Sequence, residues 1–294
     1  MLHSPKDNAM TDNARARRWS RFLDPASGLA LIVPMDHGLT LGPVRGLERL
    51  ETISRWLTPE LVTGVVLHKG LAERFGLDIA GCGMMVHLNG ALALDEEPDR
   101  KVLLTSVEAA VRLGADAVSV QTNFSAHTAA HNLRLIGEAV EQAHLYGLPL
   151  MAMVYDRMDG RPEDGIARMR HFMRAAVELG ADVLKICAPG DPERLGELLD
   201  GIQTHTPVVL AGGAMMPDET LIALAHGVVA CGGAGLCAGR NVFQRDDPPA
   251  ILRRLAQVLR SGGTDEAEGA AMHLPYAART SARSAQASRQ QATI

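Results

Sequence analysis

Apolar runs of strand length recur along the chain, separated by stretches of helical periodicity. The runs cover 29–36 (LALIVPMD), 64–69 (GVVLHK), 83–88 (GMMVHL), 117–121 (AVSVQ), 149–155 (PLMAMVY), 182–187 (DVLKIC), 207–211 (PVVLA) and 234–238 (AGLCA). Near-continuous hydrophobicity of this kind suits parallel strands covered on both faces. Between the runs, Leu133, Ile136, Val140 and Ala143 share one helical face. Ile166, Met169, Met173 and Val177 repeat the pattern, as do Leu195, Leu198, Leu199 and Ile202. Thr105 to Glu108 matches a capping box, and Asp191-Pro192 offers an N-cap followed by a first-turn proline. Residues 111–116 (VRLGAD) and 177–182 (VELGAD) repeat one helix–glycine–strand junction.

Eight such strands alternating with helices predict an α/β fold, a single-domain (β/α)8 TIM barrel. The barrel is expected over 28–261, after an N-terminal extension (1–27) and before a flexible, Gly/Ala/Ser/Gln-rich C-terminal tail (262–294). A doubly wound open sheet is the fallback, but no G-x-G-x-x-G follows the first strand.

Composition narrows the function. Of 294 residues 47% are hydrophobic and only 3% aromatic, so the core is aliphatic and a base-stacking platform is disfavoured. A formal net charge of −5 provides no domain-wide field for a polyanion, so no nucleic-acid partner is expected. No apolar run is long enough to span a membrane, and the N-terminus lacks an apolar signal core; no membrane partner and a cytoplasmic location are expected. Cys82, Cys187, Cys231 and Cys237 form no C-x-x-C pair and read as reduced thiols, with neither a disulfide framework nor a zinc site.

Active sites of such barrels lie at the C-terminal strand ends. The polar residues there are Asp36, His37, His68, Lys69, His87, Gln121, Asn123, Tyr155, Lys185 and Arg240. The 29 basic residues include four lysines: Lys6, Lys69, Lys101 and Lys185. Lys6 and Lys101 sit in polar surroundings and are expected at the surface. Lys185 lies within Val-Leu-Lys-Ile-Cys, where burial is expected to lower its pKa and free the amine as a nucleophile. A lysine paired with an interior carboxylate is the alternative. Lys69 is a rival nucleophile, more solvated beside Gly70.

Tyr155 ends the fifth run and could shuttle protons, or simply be a hydrogen-bonded core phenol. Asp36 ends the first and could exchange a proton, or cap a loop. Glycines follow the last two runs, as Ala-Gly-Gly (211–213) and GGAGLCAGR (232–240), where barrels often hold phosphate on backbone N–H groups. Arg240 adds a phosphate-matching fork. His37, His68 and His87 could bind a metal, but no His-x-His or close carboxylate spacing supports this; no metal and no organic cofactor are expected.

Together PMDHGLTLGP, VLHKG, VYDR, LGADVLKI, VVLAGG and GAGLCAGRNVFQ, spanning about residues 28–258, resemble the archaeal-type class I fructose-bisphosphate aldolase family. That family includes 2-amino-3,7-dideoxy-D-threo-hept-6-ulosonate synthases and the thiolase acting on phosphorylated autoinducer-2. The resemblance implies a Schiff base at Lys185, a proton shuttle at Tyr155 and assistance from Asp36. It also implies a substrate phosphate on Gly212, Gly213, Gly239 and Arg240, a small phosphorylated sugar or ketone as substrate, and a homo-oligomer. Two segments depart from the family pattern. Tyr-Asp-Arg-Met-Asp-Gly (155–160) replaces Tyr-Pro-Arg-Gly, and Cys-Ala-Pro-Gly (187–190) stands where Tyr-Thr-Gly is usual. The expected function is a class I aldolase of fructose-bisphosphate or amino-heptulosonate synthase type. The alternatives are a coenzyme A-dependent thiolase acting on a phosphorylated dione and a non-catalytic ligand-binding barrel.

Overall fold

The computed structural model describes residues 13–79, 81–159 and 165–261. Lys6 and the expected tail, 262–294, lie outside the described residues. The strands are β1 (Ala30–Pro34), β2 (Gly64–Leu67), β3 (Gly83–His87), β4 (Asn89–Gly90), β5 (Val102–Leu103), β6 (Ala117–Phe124), β7 (Leu150–Asp156), β8 (Val183–Cys187), β9 (Val208–Ala211) and β10 (Gly235–Cys237). Eight of them close a parallel barrel in the order β1-β10-β9-β8-β7-β6-β3-β2, and β4 and β5 pair separately as an antiparallel ribbon. Every apolar run is a barrel strand. The ribbon was not anticipated, because two-residue strands carry no periodic signal. Among the described residues no helix is long and apolar enough to cross a membrane.

Alternation along each strand builds two cores. Ile32, Val66, Met85, Ala117, Met151, Met153, Val183, Val209 and Cys237 form the cluster inside the barrel. Their neighbours, such as Val33, Val65, Val86, Val118, Leu184 and Leu210, pack outward against the helices. Those helices include Ala129–Leu145, Gly165–Glu178, Asp218–Ala230 and Pro248–Ser261.

The segment preceding the barrel supplies its floor. Trp19 and Phe22 stack with ring centroids 5.4 Å apart, and Phe22 is fully buried. A Cβ on Gly64 would lie 2.4 Å from the Phe22 ring, and one on Gly83 would lie 2.8 Å from it. Glycine at the start of β2 and β3 is therefore what admits the plug.

The repeated LGAD junction performs the same task twice. Asp116 accepts the Met84 N–H at 3.0 Å, and Asp182 accepts the Leu150 N–H at 2.9 Å, each tying one strand's entry to its neighbour. Asp191 caps the short helix Pro192–Arg194, as its sequence predicts. The capping-box register is corrected: Ser106, not Thr105, accepts from the Ala109 N–H (3.1 Å), while Thr105 is buried. Leu133 is corrected too. It is exposed, and Leu135 and Ala139 complete the buried face with Ile136, Val140 and Ala143.

Candidate active site

Parity carries the polar side chains into the barrel mouth. Val183 faces the lumen, so Lys185, two residues on, also faces it. Met153 places Tyr155 in the same way, and Met85 places His87. Lys185 is 5% exposed, and its Nζ donates to the Met153 sulfur at 3.7 Å. Lys69 points elsewhere: exposed at the start of a helix, it donates to the Leu104 carbonyl at 2.9 Å.

The Lys185 pKa overturns the sequence expectation. Burial pulls the ammonium down, but Cys237, Tyr155, Asp36 and Cys187 together hold its pKa above the ordinary lysine value. A strand sequence reveals the burial and not the acids that other strands bring around it. Burial pushes the Cys237 thiol up to about 11 and raises the Tyr155 phenol, so both keep their protons near neutrality. Burial also pushes the Asp36 carboxyl up, but His87, Lys185, His37 and His68 outweigh it and draw it down to about 2. Asp36 is therefore the ionised partner of the ammonium.

The histidines surround that carboxylate. Burial drives His87 down to about 3, and it also lowers His37 and His68. His87 Nδ1 is 2.8 Å from Ser119 Oγ, and its Nε2 lies 3.8 Å from Asp36 Oδ2. The His68 ring packs edge-on to His87, with centroids 5.2 Å apart. Near neutrality these are three uncharged imidazoles. Among the described residues no group of three or more His, Cys, Asp or Glu side chains has metal-holding geometry.

Gly212 and Gly213 follow β9, and Gly239 and Arg240 follow β10, so the two glycine segments are neighbours. At Gly239 a Cβ would lie 2.7 Å from His37 Cε1 and 2.8 Å from the Pro34 carbonyl, which excludes any larger residue. Arg240 Nε is buried without a hydrogen-bond partner, as a side chain awaiting an anion would be. Sequence reasoning missed Asn241, which is fully buried. It donates to the Gly212 and Ala214 carbonyls at 2.8 and 2.7 Å and accepts from the Met216 N–H at 2.9 Å, bracing one glycine segment against the other. Only its place after Gly-Arg hinted at a role.

Lys101 is a second correction. Expected at the surface, it is 3% exposed and stands within electrostatic reach of Asp99, Asp36, His68 and His87. The segment that joins β3 to β6 and carries the β4–β5 ribbon brings it there, a placement with no local sequence signal. On the far wall Asn123 donates to Asp99 at 2.8 Å, and Gln121 donates to Asn123 at 3.0 Å.

The sequence profile of the DeoC/LacD family aldolases matches residues 30–245. The chain belongs to the DeoC/LacD aldolase family. This aldolase is 35% identical over 247 residues to 2-amino-3,7-dideoxy-D-threo-hept-6-ulosonate synthase 1 of Archaeoglobus fulgidus, covering 83% of this chain and 90% of the relative. It superposes on a crystal structure of an archaeal fructose 1,6-bisphosphate aldolase with a TM-score of 0.75 at 28% identity, over 83% of this chain and 98% of the other. A structure of an archaeal fructose-1,6-bisphosphate aldolase has its catalytic Lys covalently bound to the carbinolamine intermediate of the substrate. It aligns with the aldolase described here at a TM-score of 0.73 and 25% identity, over 83% and 98% of the two chains.

Proposed function

We infer that this aldolase is a class I enzyme that makes or breaks a carbon–carbon bond through an imine between Lys185 and the ketone of a small phosphorylated substrate. One observation carries the reading: Lys185 lies inside the barrel mouth between an ionised Asp36 and a protonated Tyr155. Two acids pushed in opposite directions suit complementary roles. The ammonium gives its proton to solvent before the amine adds to the ketone, and the ionised Asp36 steadies the positive charge that returns to the nitrogen as the iminium forms. Tyr155 gives a proton to the carbinolamine hydroxyl as it leaves as water. The iminium then draws in the electron pair of the bond between its α and β carbons while the Tyr155 phenolate takes the proton of the β-hydroxyl, releasing an aldehyde and leaving an enamine; the reverse steps make the bond. Gly212, Gly213, Gly239 and Arg240 hold the donor's phosphate, supported by the unpartnered Arg240 Nε.

Between amino-heptulosonate synthesis and fructose-bisphosphate cleavage, the former ranks first, because PMDHGLTLGP and the 35% identity lean that way. The enzyme works as a homo-oligomer: Leu41, Leu92, Leu94, Val102 and Leu103 are exposed on or beside the β4–β5 ribbon and suit a subunit contact. Four free cysteines suit a reducing, cytoplasmic setting.

Borohydride reduction in the presence of dihydroxyacetone phosphate tests the chemistry. The expected result is a mass increase on the Lys185 peptide and loss of turnover, neither seen for K185M. Full activity without an adduct at Lys185 refutes the mechanism. Turnover that requires added coenzyme A selects the thiolase alternative.

A further inference from the structure

Charge at the barrel mouth is unbalanced. Lys185, Lys101, Arg240 and Arg157 bring four cations, and Asp36 and Asp99 bring two carboxylates. The neighbouring Asp156 is already paired with Arg168 at 2.9 Å. With the histidines neutral, two positive charges remain for a substrate to meet. One belongs to the glycine loops, where Arg240 Nε lacks a partner.

The other is Lys101. Asp99 is engaged by Asn123 at 2.8 Å and by Arg157 at 3.8 Å, and Asp36 faces Lys185 and the histidines. Among the described residues Lys101 Nζ has no ion-pair or hydrogen-bond partner of its own, yet the residue is 3% exposed. Its backbone is pinned in place: the Lys101 carbonyl lies 2.7 Å from His131 Nε2, and Val102 pairs with Gly90. The side chain is largely withdrawn from water with no carboxylate in contact with its ammonium, and burial lowers its pKa against the more distant Asp99 and Asp36. Such a group is retained where a ligand supplies the missing anion.

Position separates this cation from the donor phosphate. Lys101 sits in the excursion between β3 and β6, and in the closed barrel β3 stands four strands from β9 in either direction. It therefore lies across the mouth from Gly212 and Gly213, with Lys185 and Asp36 between. A donor phosphorylated at one end and joined to Lys185 at its ketone projects its reacting carbon toward this far wall.

We propose that Lys101 is the specificity-determining residue of the acceptor half of the site, binding an anionic group, carboxylate or phosphate, on the aldehyde that is joined to or released from the Lys185-bound donor. This rests on the Schiff-base reading above. The test measures condensation of dihydroxyacetone phosphate with glyceraldehyde 3-phosphate, with succinic semialdehyde and with uncharged glyceraldehyde, in wild type, K101M and K101R. A charge-assisted hydrogen bond corresponds to a preference of about 10- to 100-fold, carried in KM for the anionic aldehyde. The wild type should show that preference for at least one anionic aldehyde, and which one identifies the group bound. K101M should lose it and K101R should regain part of it, while borohydride still traps the donor on Lys185 in all three. Intact trapping with no anionic preference in wild type, or with equal losses for charged and neutral aldehydes in K101M, overturns the assignment alone. Absence of trapping in wild type brings down the Schiff-base reading, and this assignment with it.

Discussion

Lys185 Nζ lies 3.7 Å from the Met153 sulfur, across the register pair that joins β7 to β8. A thioether is a weak acceptor and carries no charge. The ammonium is held by the groups around it, Cys237, Tyr155 and Asp36 among them, rather than locked in a salt bridge. Replacing the thioether with a carboxylate should lock it. M153E is expected to reduce turnover by about 100-fold or more and to suppress borohydride trapping, while the near-isosteric M153L retains both. Undiminished trapping in M153E would show that the identity of this neighbour does not matter.

Asp36 raises the Lys185 pKa, and burial opposes it. D36N removes the charge and leaves the burial. The pH at which the donor is half-maximally trapped on Lys185 should therefore fall in D36N, while turnover falls by about 100-fold through loss of the negative charge beside the iminium. An upward shift of the trapping profile contradicts the electrostatics described here.

Acid stability should decline in two windows. His87, at about 3, and the depressed His37 and His68 take up protons in the unfolded chain below their ordinary value of 6.5 but stay neutral when folded. Their linkage lowers stability as pH falls from 6.5 toward 3. Asp36 is the opposite kind of group, an acid whose folded value is depressed. Its contribution is complete above 3.8 and is lost only between 3.8 and about 2. Denaturant melts from pH 7 to 4 should show the decline, and H87N should flatten it. An H87N slope matching wild type removes His87 as the cause.

Asn241 braces the glycine loops with three hydrogen bonds. N241A strands the Gly212 carbonyl in a buried place, at a cost of about 1–3 kcal/mol before relaxation, and releases the part-buried Ala214 carbonyl and Met216 N–H. The expected outcome is a lower Tm together with a KM at least about tenfold higher for a phosphorylated donor than in wild type. Calorimetry and steady-state kinetics check it. A drop in Tm with no change in KM would confine Asn241 to stability.

Phe22 plugs the barrel floor far from the mouth. F22A should cost about 3–5 kcal/mol of stability, the range for a fully buried aromatic, with kcat preserved below the melting transition. Urea denaturation measures the first and kinetics the second.

The barrel was legible because buried parallel strands are continuous apolar runs, and all eight could be located without contacts. Lys185 and Tyr155 were legible as strand-end polar residues, since barrel sites gather at the C-terminal ends of strands. The β4–β5 ribbon, the brace at Asn241 and the burial of Lys101 were not, because each depends on partners tens of residues away. Ser106 and Leu133 show a smaller failure of the same kind: capping and periodicity locate a helix but leave its register open by one residue.

By itself, then, the sequence located the eight barrel strands and placed Lys185 at the end of one of them, because apolar runs and their breaks are local; the face a doubly covered strand turns inward was left to the tertiary structure. Only the tertiary structure decided the charge state around that amine. Its neighbours come from β1, β7 and β10, and an electrostatic environment is a sum over spatial distances that chain order does not encode. The same sum turned an apparently ordinary surface lysine at position 101 into a buried cation facing the site.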